Sequence, residues 1–445
     1  MKLIRYLFLV TLLITLLAAC GGDDDDGDDP TATTGTTATE VTDSDTTPTE
    51  ADEPDATEAD GDATEPDDSA AATATGTTAP SGDEEETPTP RWTPTPEVTF
   101  EDDFALGWNV GMRGDPDGDD HNRRVAEVVN ESGAHWVRFQ IPWFQIEPED
   151  DAWEPERFDR MIGAMSEAGV NVLGVVAKAP DWAVSPEPQT FLSDPAELQE
   201  LMAYLADRYK GQVQAWEIWN EQNLAFEVGG YVNVDDYIAM LRAGSEGVRS
   251  ADPDALVVFG GLTPNGLNDP AVAIDDFNYL NLAYARSGGE LAQWFDVLGV
   301  HANSTHNSPD ETWPDNITSG HEGWNDHPSF FFRRTEALRQ VMVDQGDLDK
   351  PVWITEFGWT TENPAPGYEY GVNNSEEEVA EFLYRALEIC HAEWTWCTGA
   401  FVWNLNWSTL VDDQDEKGPW SALNADWSPR PQFEAVQEFA RSLSQ

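Results

Sequence analysis

The stretch Val213-Gln214-Ala215-Trp216-Glu217-Ile218-Trp219-Asn220-Glu221-Gln222-Asn223 decides the architecture. Val213–Trp219 is a β-prone run rich in large apolar residues, too short for a helix of its own, and it breaks off into four polar residues. Just before it, Pro195–Tyr209 (PAELQELMAYLADRY) sets apolar residues at helical spacing, with Asp194 as N-cap and Pro195 in the first turn. A helix feeding a buried strand whose tip turns polar is one unit of a βα repeat.

The same unit recurs outward in both directions. Candidate strands are Leu106–Met112, Trp136–Pro142 and Asn171–Ala177 before it, then Leu256–Gly261, Phe295–Val300, Val352–Phe357 and Gly399–Asn404 after it. Amphipathic stretches such as Glu376–Ile389 lie between them. Eight strands alternating with about eight helices predict an α/β fold, a single closed (β/α)8 TIM barrel. An open doubly wound sheet is disfavoured, because no Gly-rich phosphate loop follows the first strand.

The rest of the 445 residues has other work. Lys2 and Arg5 precede an apolar run, Tyr6–Leu17, that is short for a membrane span. Leu17-Ala18-Ala19-Cys20 resembles a bacterial lipobox, so residues 1–20 are expected to be a lipoprotein signal peptide with the lipid on Cys20. An ordinary signal peptide or a short anchor is the alternative. Residues 21–98 are expected to be a disordered tether: positions 21–90 hold 23 acidic residues, no basic ones and no aromatics, too little apolar surface to offset chain entropy. Residues 99–445 form the expected barrel domain, a monomer held on the extracellular face of the cell membrane through that lipid alone.

With 85 acidic against 23 basic residues and a formal charge of −62, nucleic acid is excluded as a partner. Only four lysines follow residue 90, a balance that fits a high-salt habitat or an acid-biased proteome equally well. Besides Cys20, the cysteines are Cys390 and Cys397, whose spacing permits a disulfide without requiring one. No HExxH or Cys–His cluster is present, and neither a metal nor a cofactor is expected.

In such a barrel the site is built at the C-terminal strand ends, which read WNVGM, RFQIPW, KAPDW, EIWNEQN, GGLTP, VHANS, TEFGW and VWNLNW. Glu221 and Glu356 sit at the tips of strands four and seven. Two carboxylates facing one another across an aromatic pocket are the equipment for glycosidic bond cleavage. One must carry a proton, which burial beside a second negative charge promotes; the other must stay ionised, which needs a cation. Arg138 on strand two is the candidate cation, with pairing to Glu217 its structural alternative. Strand alternation places Glu217, Trp219 and Glu221 on one side. Trp108, Trp143, Trp182, Trp359, Trp403 and Trp407 are candidate sugar platforms, Trp403 and Trp182 foremost.

Trp216-Glu217-Ile218-Trp219-Asn220-Glu221 and Trp353-Ile354-Thr355-Glu356-Phe357-Gly358 resemble the Asn-Glu and Glu signatures of the retaining glycoside hydrolases of clan A, which include families 5 and 39. Trp143 to Pro148, Phe158-Asp159, Pro180 to Ala183 and Asp426 to Pro431 are similar to family 39 and its neighbours, so the likeness runs from about Phe104 to the C-terminus. It implies a glycoside hydrolase acting on a carbohydrate substrate, with Glu221 as acid/base and Glu356 as nucleophile. Asn220 would bind the sugar 2-hydroxyl, Arg138 would support Glu356, and Trp403 would floor the reacting sugar. The likeness also implies a cis peptide at Trp403-Asn404 and a site role for His301. Asn303 stands where the clan often has a tyrosine contacting the nucleophile, a place Tyr368 or Tyr370 would fill from a loop. A sugar-binding barrel without activity is the rival, yet degenerate members normally lose one glutamate and both are present. Transglycosylation would use the same residues.

Overall fold

Eight strands close on themselves in the computed structural model, which describes residues 104–443. They are β1 Ala105–Asn109, β2 Trp136–Pro142, β3 Asn171–Ala177, β4 Ala215–Ile218, β5 Leu256–Leu262, β6 Val297–His301, β7 Val352–Phe357 and β8 Cys397–Val402. Each pairs in parallel with its sequence neighbours, and β8 closes on β1, giving the expected (β/α)8 barrel. Besides a single turn at Trp143–Ile146, the helices are α1 Asp119–Ser132, α2 Glu156–Glu167, α3 Pro195–Arg208, α4 Val234–Ala251, α5 Asp276–Arg286, α6 Arg334–Asp344, α7 Glu376–Glu388 and α8 Pro431–Leu443. The signal peptide, Cys20 and most of the tether (residues 1–103) lie outside the described residues.

The caps follow local chemistry. The Asp194 carboxylate accepts from the Ala196 N–H at the start of α3, and Ser375 with Glu378 forms a reciprocal capping box on α7. Two cores result. Ala105, Leu173, Ala215, Val258, Val297, Trp353 and Phe401 plug the barrel, while a larger layer fills the space between strands and helices. Cys390, in a π-helical turn after α7, and Cys397, opening β8, are joined as a disulfide with Cα atoms 5.3 Å apart.

Strand four ends sooner than its apolar run suggests. Trp219 adopts φ +71°, so alternation stops at Ile218 and the expected sharing of one side by Glu217, Trp219 and Glu221 fails. Glu217 turns inward to Arg138. The Trp219 indole packs instead edge-on against Phe191 in the outer layer, donating to the Glu227 carbonyl at 3.0 Å.

Candidate active site

Arg138 organises the barrel mouth. It lies on β2, 1% exposed, in register with Asn109 of β1. Its Nε donates to Glu217 Oε2 at 2.6 Å, one terminal nitrogen to Asn109 Oδ1 at 2.8 Å and to Glu356 Oε1, and the other to Asn220 Oδ1 at 2.8 Å. Both readings of Arg138 therefore hold together: it pairs with Glu217 and with Glu356. Burial opposes its charge, but the two carboxylates outweigh burial and hold the guanidinium above its ordinary value.

Glu356 is the penultimate residue of β7, buried, and opposite His301 in the β6–β7 register. Glu221 lies three residues past β4, after two left-handed residues are spent at Trp219 (φ +71°) and at Glu221 itself (φ +50°). Neither is glycine, so the tip carries backbone strain that the surroundings must hold. Part of that hold is the Glu221 N–H donating to the Gly261 carbonyl at 3.0 Å. The Gly261 N–H in turn donates to Glu217 Oε1 at 2.8 Å, and a Cβ at Gly261 would strike the His301 ring. His301 bridges the two carboxyls: Nδ1 is hydrogen-bonded to Glu221 Oε1 at 2.9 Å, and Nε2 lies 3.7 Å from Glu356 Oε1. Burial disfavours charge on this imidazole, yet the Glu356 carboxylate and the Glu221 hydrogen bond prevail and raise it above the usual histidine value. An oxygen of Glu221 and an oxygen of Glu356 lie within 4.8 Å of one another.

A cavity of about 400 Å³ opens over this group. Arg138, Asn220, Glu221, Glu356, Asn303 and Trp403 all line it, and His301 is buried behind the two glutamates. The Trp403-Asn404 peptide is cis. Trp182 does not join them; it sits on a separate depression with Phe144, its indole N–H donating to the Glu147 carbonyl at 3.2 Å. Trp108, Trp143 and Trp359 are core residues, whereas Trp407 lines the cavity. Tyr368 and Tyr370 also reach the cavity. The Tyr368 hydroxyl lies 3.4 Å from Glu416 Oε2, to which it donates, and Asn303 Oδ1 is buried without a partner.

Sequence reasoning missed a second set of cavity-lining groups, Lys178, Glu227, Glu416, Lys417 and Trp420. Burial pushes the Glu227 carboxyl up to about 8; Lys178 opposes the shift, and the Glu221 and Glu356 charges add to it. Burial likewise raises Glu416 to about 7 against the pull of Lys417. Lys178 belongs to the KAPDW strand end and was legible in principle, but Glu227 and Glu416 sit in loops with no periodic pattern.

Glu221, His301 and Glu356 are close enough to offer three ligand atoms to a metal. Glu221 and His301 are bonded to each other and Glu356 to the Arg138 guanidinium, whose positive charge opposes a second cation beside it.

No protein-family model matches the chain, and no curated protein matches it. Solved structures do. A family 39 glycoside hydrolase from the gut symbiont Bacteroides cellulosilyticus is similar at TM-score 0.57 and 19% identity over 76% of this chain. The alignment spans 63% of that protein's length. A GH5_18 variant from Streptomyces cattleya, solved in complex with Manb1-4GlcNAc, is similar at TM-score 0.56 and 16% identity, covering 76% of this chain and 80% of that one. Xylanase 10B from Thermotoga petrophila in complex with xylobiose is similar at TM-score 0.50 and 14% identity, covering 76% and 94%.

Proposed function

We propose that this chain hydrolyses O-glycosidic bonds in an oligo- or polysaccharide with retention at the anomeric carbon, Glu356 acting as nucleophile and Glu221 as acid/base. The observation that carries the reading is the carboxyl pair, with oxygens within 4.8 Å at the tips of β4 and β7 in an aromatic-walled cavity. Retaining enzymes hold their carboxyls ~5–5.5 Å apart, whereas inverting ones need ~6.5–9.5 Å to seat a water. The carbohydrate complexes among the similar barrels support the substrate class.

The chemistry runs in two displacements. Glu221 gives its proton to the glycosidic oxygen while Glu356 attacks the anomeric carbon, breaking the C–O bond and forming a glycosyl ester. Glu221, now a base, takes a proton from water; the hydroxyl attacks the same carbon and releases Glu356. Arg138 sets a permanent charge against Glu356, favouring the carboxylate that attack requires. His301, tied to Glu221, fixes the acid/base rotamer. Asn220, oriented by Arg138, presents its amide N–H to the sugar 2-hydroxyl, and Trp403 offers its face beneath the ring.

The test is a screen of the protein against aryl β-glycosides and polysaccharides at low and high salt, with Glu356→Ala as control. Hydrolysis by the parent, lost in the variant, and a first-formed product of unchanged anomeric configuration by proton NMR are expected. No hydrolysis of any substrate would favour a sugar-binding role for the barrel.

The same proposal places the domain outside the cell, tethered through residues 21–98 to a lipid on Cys20. Labelling with a radioactive fatty acid should mark the parent and not Cys20→Ser; equal labelling of both would defeat it.

A further inference from the structure

Lys178 and Glu227 stand out among the cavity groups that the two-glutamate chemistry leaves unused. Lys178 is one of only four lysines beyond residue 90 in a strongly acidic chain, and it lines the cavity half-buried. Its backbone is left-handed, φ +61°, a conformation that a long side chain seldom adopts and that here carries the residue off the end of β3. The Phe144 N–H donates to its carbonyl at 3.1 Å and pins the turn. Among the described residues, no carboxylate lies within 4.0 Å of its ammonium, unlike Lys210 and Lys417, which have acidic partners.

Glu227 faces the same cavity from the loop after β4. A short 3-10 turn, Ala225–Val228, sets its backbone, with its N–H donating to the Leu224 carbonyl at 3.2 Å and its carbonyl taken by the Trp219 indole. The carboxyl is nine-tenths buried and makes neither an ion pair nor a hydrogen bond with any of the described residues. Lys178 is the cation that acts on it most strongly, yet the two do not close into a pair.

A half-buried ammonium and a buried carboxyl that line one cavity without pairing leave a donor and an acceptor facing it. A group that donates at one end and accepts at the other relieves both. We propose that Lys178 and Glu227 are specificity-determining residues that together bind two adjacent hydroxyls of a neutral sugar beside Glu221, the ammonium donating to one and the carboxyl bonding the other. An acidic sugar would set its charge against the Glu356 carboxylate close by, and an aminosugar its charge against Lys178; a neutral diol suits both. Sites that hydrogen-bond a substrate hydroxyl with buried groups discriminate strongly against sugars that lack or misplace it.

This inference rests on the glycosidase reading, and the experiment separates the two. The full chain, Lys178→Ala, Glu227→Ala and the double variant are assayed for kcat/KM on the p-nitrophenyl β-glycosides of glucose, galactose, mannose, xylose and glucuronic acid. A neutral glycoside should be the best substrate of the parent. Each single variant should lose 10–100-fold on it, and the double variant should lose less than the product of the two, because both act on one diol. The preference for the best glycoside over its epimers should collapse at least tenfold. Lys178→Arg should restore more activity than Lys178→Ala, and circular dichroism should show all variants folded. A parent that hydrolyses these glycosides while both alanine variants stay within twofold of it, epimer preference included, overturns this inference alone. A preference for the glucuronide overturns it too. A parent inactive on every glycoside removes the glycosidase reading and this inference with it.

Discussion

Replacing Arg138 with Met tests the central electrostatic argument. Methionine fills most of the arginine volume, so the perturbation is loss of charge and of donors rather than a cavity. The structure sets the magnitude. Arg138 is 1% exposed, Glu217 is fully buried and Glu356 is 7% exposed, and the guanidinium also satisfies Asn109 and Asn220. Removing one partner of a buried ion pair costs about 3–5 kcal/mol, because the charge left behind is neither solvated nor paired. The upper end, about 5 kcal/mol, applies here, since two carboxylates are orphaned together. Urea denaturation at pH 7 followed by tryptophan fluorescence reads the loss. Adding Glu217→Gln to Arg138→Met should regain about 2 kcal/mol, whereas Glu217→Gln alone in the parent should destabilise. That sign reversal is the signature of a shared charge. A loss below about 1 kcal/mol for Arg138→Met, or additive behaviour of the pair, would refute the claim that this network holds the barrel mouth.

Three further outcomes follow from the same geometry. Glu227→Gln should alter stability only at higher pH. Its carboxyl, near 8 in the folded protein against 4.5 ordinarily, costs little below pH 4.5, and the penalty grows to about 4 kcal/mol by pH 8. The urea midpoint of the variant should therefore pull ahead of the parent's between pH 5 and pH 8, and parallel curves would disprove the burial argument. Glu221→Ala should slow glycosides with poor leaving groups at least tenfold more than dinitrophenyl glycosides, which need no proton; equal slowing would remove its acid role. Cys390→Ser should cost about 2.5 kcal/mol by urea denaturation, the loop-closure value for the short segment to Cys397, and an unchanged midpoint would show that the bridge contributes nothing.

The barrel was legible because its signal is repeated. Trp136–Pro142, Asn171–Ala177 and Val352–Phe357 match the strands residue for residue, since each is a run of buried side chains bounded by polar or turn residues. The mismatches have local causes. The candidate strand Val213–Trp219 shrinks to Ala215–Ile218 because a left-handed residue ends it, and no side-chain pattern encodes that turn. The site divides along the same line. Arg138, Glu356 and His301 lie on strands, where position along the run determines what a side chain faces. Trp182 closes the KAPDW strand end, but the loop that carries it turns to a different depression. Glu227 and Glu416 were missed because loop geometry, not periodicity, brings them into the cavity.

The charge balance of the chain points to a final distinction. Excess surface acid is spread over solvent, where the Debye length of about 8 Å at physiological salt confines each charge to its neighbourhood. Inside the cavity no such screening operates, and the outcome depends on individual pairs. Arg138 is shared between Glu217 and Glu356, while Glu221 is hydrogen-bonded to His301 instead. Glu227 and Glu416 have lysines nearby but no arginine against them, and both are raised into the neutral range by burial. The same residue type thus occurs within one cavity as an ion-paired carboxylate and as carboxyls raised by burial. What separates the roles is which cation each carboxyl touches and how much solvent it has lost.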